Sequence, residues 1–330
     1  MVFQKSIISS YRGGEVPMKQ IATDTAIKKP ATKSRKISKN DLRNNVAGYL
    51  FIAPMLIGSA VLILFPIIAS FFLSFTDWNF VTGLGGASFV GLDNFSALFQ
   101  DSIFLKGLTN NFILLLVVPF GLAISLILAV VINKGVYFKD TFKVIYFMPY
   151  ISSTVAIALV FQVLFHPTAG PINQILMALG IENVPGWIAS SDWSLISVMI
   201  IIVWTQIGFQ IIMYIAALQN ISAQLYEAAN VDGASKWYQF FKITVPLVTP
   251  TTFLLLIQGV VHTFKVFDLI IVLTEGGPAN SSTIPVLYLY QQAFEELKTG
   301  YASAISVILF LILIAITFLQ WIGQKKWVNY

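Results

Sequence analysis

The sequence predicts an all-α membrane protein with six transmembrane helices, and three observations carry that expectation. The 330 residues are 57% hydrophobic and only 11% charged. A soluble domain carries about 25% charged residues, so lipid must replace water over much of this surface. Six stretches reach the roughly 20 apolar residues that cross a ~30 Å hydrocarbon core. Finally, the basic residues fall on one side of those stretches.

Residues 1–44 hold ten of the 20 Lys+Arg and three acids, with no apolar periodicity. They read as a disordered, basic cytoplasmic tail, with anionic lipid as the competing partner. The basic region is too long for a signal peptide, and no short apolar core with a cleavage site follows it. The spans run roughly 46–75, 108–132, 144–165, 195–218, 247–273 and 301–322. Pro54, Pro66, Pro119 and Pro149 fall in or near them. Spans tolerate such prolines where neighbouring helices satisfy the freed backbone groups.

The connecting segments test the count. The tail, 133–143, 219–246 and 323–330 carry seventeen Lys+Arg and six acids; 76–107, 166–194 and 274–300 carry two Lys and eight acids. By the positive-inside rule both termini are cytoplasmic and the number of spans is even. The chain then divides into the tail, 1–44, and a six-span domain, 45–325, at the cell membrane.

Composition also excludes chemistry. The chain has no cysteine and two histidines, so disulfides and thiolate chemistry are ruled out and a His-rich metal site is not expected. No phosphate-binding Gly-rich loop, nucleophile elbow or HExxH pair is present. No cofactor and no nucleic-acid partner is expected, and nothing predicts ATP hydrolysis by this chain.

The segment 219–246, between spans four and five, stands out for its mixed charge. Residues 224–231 suit a helix, Asp232-Gly233 interrupts it, and 234–244 can form a second. Gly permits a turn at low steric cost, and Asp232 can cap the next helix. Ala228, Ala229, Gly233 and Ala234 keep the surface low, so a protein could approach the backbone closely, and Glu227 offers a charge to a basic partner. An amphipathic helix resting on lipid, with Trp237, Phe240 and Phe241 dipping in, fits equally well.

Inside the spans, polar residues are costly and usually face a cavity or each other. Gln206 and Gln210 are four apart in span four; Gln258, His262 and Lys265 fall at i, i+4 and i+7 in span five. Amides, imidazole and hydroxyls can bond sugar hydroxyls, and Phe209, Trp204 or Tyr214 could stack on a pyranose face. Interhelical hydrogen bonding is the competing role for each. Lys265 and Asp268, one turn apart, are expected to pair; a free Lys265 favours an anionic cargo. Trp78, Asn79, Gly91, Asn94, Trp187 and Trp193 fall in outer loops.

These residues carry a resemblance. Glu227-Ala228-Ala229, Asp232-Gly233-Ala234 and Ile243-Thr244-Val245-Pro246 with Pro250 resemble the EAA loop of binding-protein-dependent ABC importer permeases. Phe147-Met148-Pro149-Tyr150, Gly170-Pro171-Ile172-Asn173, Leu218-Gln219-Asn220-Ile221, Leu273-Thr274-Glu275-Gly276-Gly277-Pro278 and Gly300-Tyr301-Ala302-Ser303-Ala304 extend it. Their order resembles the carbohydrate-uptake branch that includes the maltose permeases, over residues ~45–325. Asn220-Ile221-Ser222 departs from the Ile-Pro pair common there.

The resemblance implies a non-enzymatic membrane subunit forming half the pathway for a carbohydrate, with an oligosaccharide as the expected cargo. Its implied partners are a second homologous permease, two ATP-binding subunits and an extracytoplasmic solute-binding protein. The loop would dock an ATP-binding subunit through Glu227, Ala228, Ala229, Asp232 and Gly233. Gln206, Phe209, Gln210, His262, Thr263 and Val266 would line the substrate pathway. A permease for a sugar phosphate or uronate is the alternative. An ion-coupled carrier would want a charged core site and inverted repeats, and a membrane enzyme would want a catalytic cluster.

Overall fold

The computed structural model describes residues 39–133 and 137–328. All but the last six residues of the expected tail lie outside them. The chain divides into two compact units, one ending at Val61 and one beginning at Leu62. Described elements of the first are helix α1 (Lys39–Ser59) and the start of a π-helical turn at Ala60–Leu64. Helix α1 therefore begins inside the segment read as tail. Its residues from 45 on are largely exposed, with Phe51 87% exposed.

The second unit continues with α2 (Phe65–Leu73), α3 (Asp93–Leu98), α4 (Ser102–Leu114), α5 (Val117–Asn133), α6 (Lys139–Ile151), α7 (Thr154–Leu164) and α8 (Pro171–Ala178). Then come α9 (Ser194–Gln219), α10 (Ala223–Val231), α11 (Lys236–Gln239), α12 (Val245–Leu247), α13 (Thr249–Thr263), α14 (Phe267–Leu273), α15 (Pro285–Tyr290) and α16 (Thr299–Trp327). Among the described residues there is no β-strand, only an isolated bridge between Thr76 and Phe89.

Among the described residues, four helices are long and apolar enough to cross a membrane: Asn45–Leu73, Ser102–Asn133, Ser194–Gln219 and Thr299–Trp327. Two bent pairs raise the number to six if each is one span. One pair is Thr141–Ile151 with Thr154–Leu164, turned by 97°; the other is Lys236–Leu247 with Thr249–Thr263, turned by 64°. Expected spans three and five are thus not straight. Pro149 lies in the last turn of α6, Ser152 is extended, and the Ser152 hydroxyl donates to the Met148 carbonyl at 2.8 Å. A proline removes a helix hydrogen bond, and the freed carbonyls favour a break here.

Helix α9 is the central post. It packs against α5 and α6 and touches α4, α13 and α14. Twelve of its residues are buried, among them Val198, Ile201, Ile211 and Tyr214. Lipid offers no hydrophobic drive between helices, so close fit must hold them. Gly208 supplies it: a Cβ there would collide with the Tyr146 carbonyl of α6. Gly259 of α13 likewise meets the Val118 side chain of α5, where a Cβ would come within 2.7 Å.

The start of α4 is stapled to two other helices by Asp101. Its Oδ1 accepts the Ile103 and Phe104 amides at 2.8 and 3.2 Å, capping α4. Its Oδ2 accepts the hydroxyls of Tyr288 at 2.5 Å and Tyr301 at 2.8 Å, tying in α15 and α16. In another cluster, Trp187 stacks on Phe165 at 4.6 Å and donates its indole N–H to Asn173 at 2.7 Å. Trp187 is 8% exposed, so it is core rather than an outer-loop contact surface.

Candidate functional site

The break within the third apolar segment meets a second break in the fifth. Helix α13 ends at Thr263 and α14 begins at Phe267. Between them Val266 sits at φ −75, ψ 65, and the Phe267 amide donates to the Lys265 carbonyl at 2.8 Å. That is an inverse γ-turn. Around this kink lies a cavity of about 360 Å³, lined by Tyr150, Gln206, Gln258, His262, Lys265, Asp268 and their neighbours.

Gln206 of α9 and His262 of α13 meet across it, Nε2 to Nε2 at 3.0 Å. With the amide donating, His262 Nε2 accepts and the proton sits on Nδ1. Nδ1 is buried and has no hydrogen-bond partner. Val266 also lines the cavity. Phe209 stacks against Tyr150 at 4.8 Å and 16°, backing the wall that Tyr150 presents. Gln258, His262 and Lys265 all line the cavity, but Lys265 lies beyond the end of α13 and not on its helical face.

Two of the expected pathway residues are engaged elsewhere. Gln210 is buried and its Oε1 accepts the Ser125 hydroxyl at 2.8 Å, joining α9 to α5. Thr263 is 1% exposed and donates to the Val260 carbonyl of its own helix at 2.8 Å. Both border a much smaller void of about 10 Å³ behind Gln206 and His262.

Lys265 and Asp268 do not pair, contrary to the sequence expectation. The i, i+3 neighbourhood holds only within a continuous helix, and the turn at Val266 removes it. Both side chains are exposed and line the cavity. Elsewhere Lys298 pairs with Glu296 at 2.6 Å. Sequence reasoning missed Tyr150, Thr205, Ser152 and Thr154, which also line the cavity. The signal was Pro149 with Ser152-Ser153: a broken helix turns its polar end inward.

The second feature is the loop after α9. Glu227 and Ala228 on α10 are exposed, Ala229 is half-buried, and Asp232 and Gly233 are exposed in the turn. Gly233 takes φ 74, with open space where a Cβ would stand. The cap of α11 is Ser235, whose hydroxyl accepts the Tyr238 amide at 3.2 Å. Asp232 instead closes α10, its amide donating to the Ala228 carbonyl at 3.0 Å. The turn is longer than expected, which moves the capping position from Asp232 to Ser235. The second half is also irregular, with a π-helical stretch at Phe240–Thr244.

An all-helical chain with several membrane-length apolar helices and a polar cavity at a double helix break defines a multi-pass membrane protein of the transport class. Residues 121–328, which include both cavity and loop, match the family described as binding-protein-dependent transport system inner membrane component. The chain belongs to that family. It is 34% identical over 283 residues to the probable ABC transporter permease protein YurN of Bacillus subtilis, covering 84% of this chain and 96% of the relative. It is 34% identical over 303 residues to the lactose transport system permease protein LacF of Rhizobium radiobacter, covering 90% and 99%. Among solved structures, a chain of a bacterial alginate ABC transporter, in complex with an alginate pentasaccharide-bound periplasmic protein, superposes with a TM-score of 0.75. It is 25% identical and covers 87% of this chain and 96% of that one.

Proposed function

We propose that this chain is the membrane-spanning subunit of an ATP-driven carbohydrate importer. It forms half of the pathway for an oligosaccharide delivered by an extracytoplasmic binding protein. The observation that carries this reading is the cavity at the α13–α14 break. An apolar bundle there holds amide, imidazole, hydroxyl, ammonium and carboxylate groups together. A sugar ring, with donors and acceptors on its rim and apolar faces, matches that mixture. The relatives named for lactose transport and the alginate transporter support the cargo class.

The charge asymmetry and the two bent pairs support six spans, cytoplasmic termini and a six-span domain of residues 45–325. Gln206, His262 and Val266 face the cargo directly. Phe209 acts through Tyr150, while Gln210 and Thr263 hold the wall behind. A second homologous permease supplies the other half of the pathway. Two ATP-binding subunits hydrolyse the nucleotide, so this chain is not itself an enzyme. Residues 219–246 dock one of them: Glu227 is the polar anchor, Ala228 and Ala229 the close-packed face, Asp232 and Gly233 the turn.

The test is co-purification of the tagged chain in mild detergent. The expected product holds two permeases and two ATP-binding subunits, and Glu227→Lys is expected to lose the latter while the spans stay folded. A chain that arrives alone and transports in vesicles without ATP would instead be an ion-coupled carrier. One observation favours a second reading, a cargo with a carboxylate or phosphate: Lys265 faces the cavity without an ion-pair partner. Lys265→Gln would then abolish uptake of a uronate oligosaccharide and spare a neutral one.

A further inference from the structure

Helix α10 has nine residues and α11 four. Helices this short are marginal in water unless packing holds them. Helix α10 has no buried residue, so apolar packing does not do so. Yet Gln239 and Thr244 are only 4% and 5% exposed in this open loop. Both are polar, and both are hydrogen-bonded across it.

Asn230, at the end of α10, accepts two bonds on one oxygen. Gln239 Nε2 donates to its Oδ1 at 2.8 Å and Lys236 Nζ at 3.0 Å. The Gln239 amide also donates to the Ala234 carbonyl at 3.0 Å, holding the turn between the helices. At the other end the Tyr226 hydroxyl meets Thr244 Oγ1 at 2.9 Å, and Thr244 contacts the Gln239 carbonyl at 3.4 Å. The two strands of the loop are thus bonded at both ends, by residues outside its Glu227–Ala229 and Asp232–Gly233 contact surface.

We propose that Asn230, Gln239 and Thr244 are positioning residues that lock α10 and α11 into one block, so that the loop passes on a displacement without shearing. The inference rests on the docking reading above. A lever transmits motion only if it is stiffer than what it moves. Water would otherwise replace each exposed bond at little cost, but the burial of Gln239 and Thr244 makes an unpaired state expensive.

The chain has no cysteine, so spin labels can be placed on Gln224→Cys and Tyr238→Cys. Their separation is read by pulsed EPR in the complex, nucleotide-free and vanadate-trapped. The expected result is one narrow distance, unchanged between states. Gln239→Leu or Asn230→Leu should widen the distribution about twofold, as local opening becomes cheap. Asn230→Asp, which keeps the acceptor, should restore the narrow distance. A second pair, Gln224→Cys with Lys326→Cys, reports how far the loop travels between states, and the Leu variants should shorten that travel. A native loop whose internal distance changes with nucleotide overturns the proposal. So do Leu variants as narrow as native, or an Asp variant as broad as Leu. If no ATP-binding subunit accompanies the unsubstituted chain, the docking reading fails instead, and the width in the isolated chain still decides the lock.

Discussion

At the residue scale, Asp101 shows how one carboxylate can organise three elements. Burial pushes its pKa up, but bonds from Tyr288, Tyr301 and the Phe104 and Ile103 amides outweigh that and hold it below the ordinary 3.8. A depressed folded pKa stabilises the native state above the ordinary value, and that contribution is lost as pH falls through the lowered one. The thermal midpoint of the detergent-solubilised protein should therefore drop below about pH 4 more steeply in the native chain than in Asp101→Asn. At neutral pH Asp101→Ala should cost about 1.5–3 kcal/mol, the range for hydrogen bonds to a charged group; unchanged thermal unfolding would show that the staple carries no strength. Residue identities around the cavity are only partly legible in the sequence. Gln206 and His262 could be read because polar groups inside apolar spans are few. Gln210 looked equivalent, but its partner Ser125 lies 85 positions away, a pairing that periodicity does not show.

At the element scale, two glycines act in opposite ways. Gly208 is a packing glycine: backbone of α6 stands where its Cβ would be, and backbone gives less readily than a side chain. Gly208→Val should reach the upper end of the about 1–3 kcal/mol typical of overpacking, seen as lost accumulation in the membrane. Gly233 is a conformational glycine, with φ 74 and nothing within 4 Å. Gly233→Val should cost about 1–2 kcal/mol through the left-handed backbone alone, and Gly233→Asn should recover most of the ATP-binding-subunit docking that Val loses. Equal behaviour of the two variants would sink this account. The existence of the apolar helices was legible from length and hydropathy. Their breaks were not, because Pro54 stays inside helix α1 while Pro149 marks a 97° turn. Proline permits a bend; the tertiary setting around Ser152 decides whether it is taken.

At the scale of the whole molecule, the lipid-facing surface and the cavity follow different rules. Phe65, Leu319 and Val163 are more than 60% exposed, which is a defect in water and a fit in lipid. Gln258, Lys265 and Asp268 are exposed too, but they line the cavity, the wall that the proposed second permease would complete. A thiol at Lys265→Cys should react with a water-soluble maleimide, and a cargo oligosaccharide should slow that reaction severalfold; a thiol that stays inert in the assembled complex would place Lys265 outside the pathway. The placing of Lys265 and Asp268 on either side of the turn at Val266 also has an electrical meaning. Moving one elementary charge through 100 mV costs about 2.3 kcal/mol. A cation and an anion flanking one kink would, if carried through the field together, do opposite work against the voltage, and the two terms would cancel. Uptake of a neutral sugar is thus expected to run at one rate whether vesicles are polarised or clamped at zero potential with valinomycin and potassium.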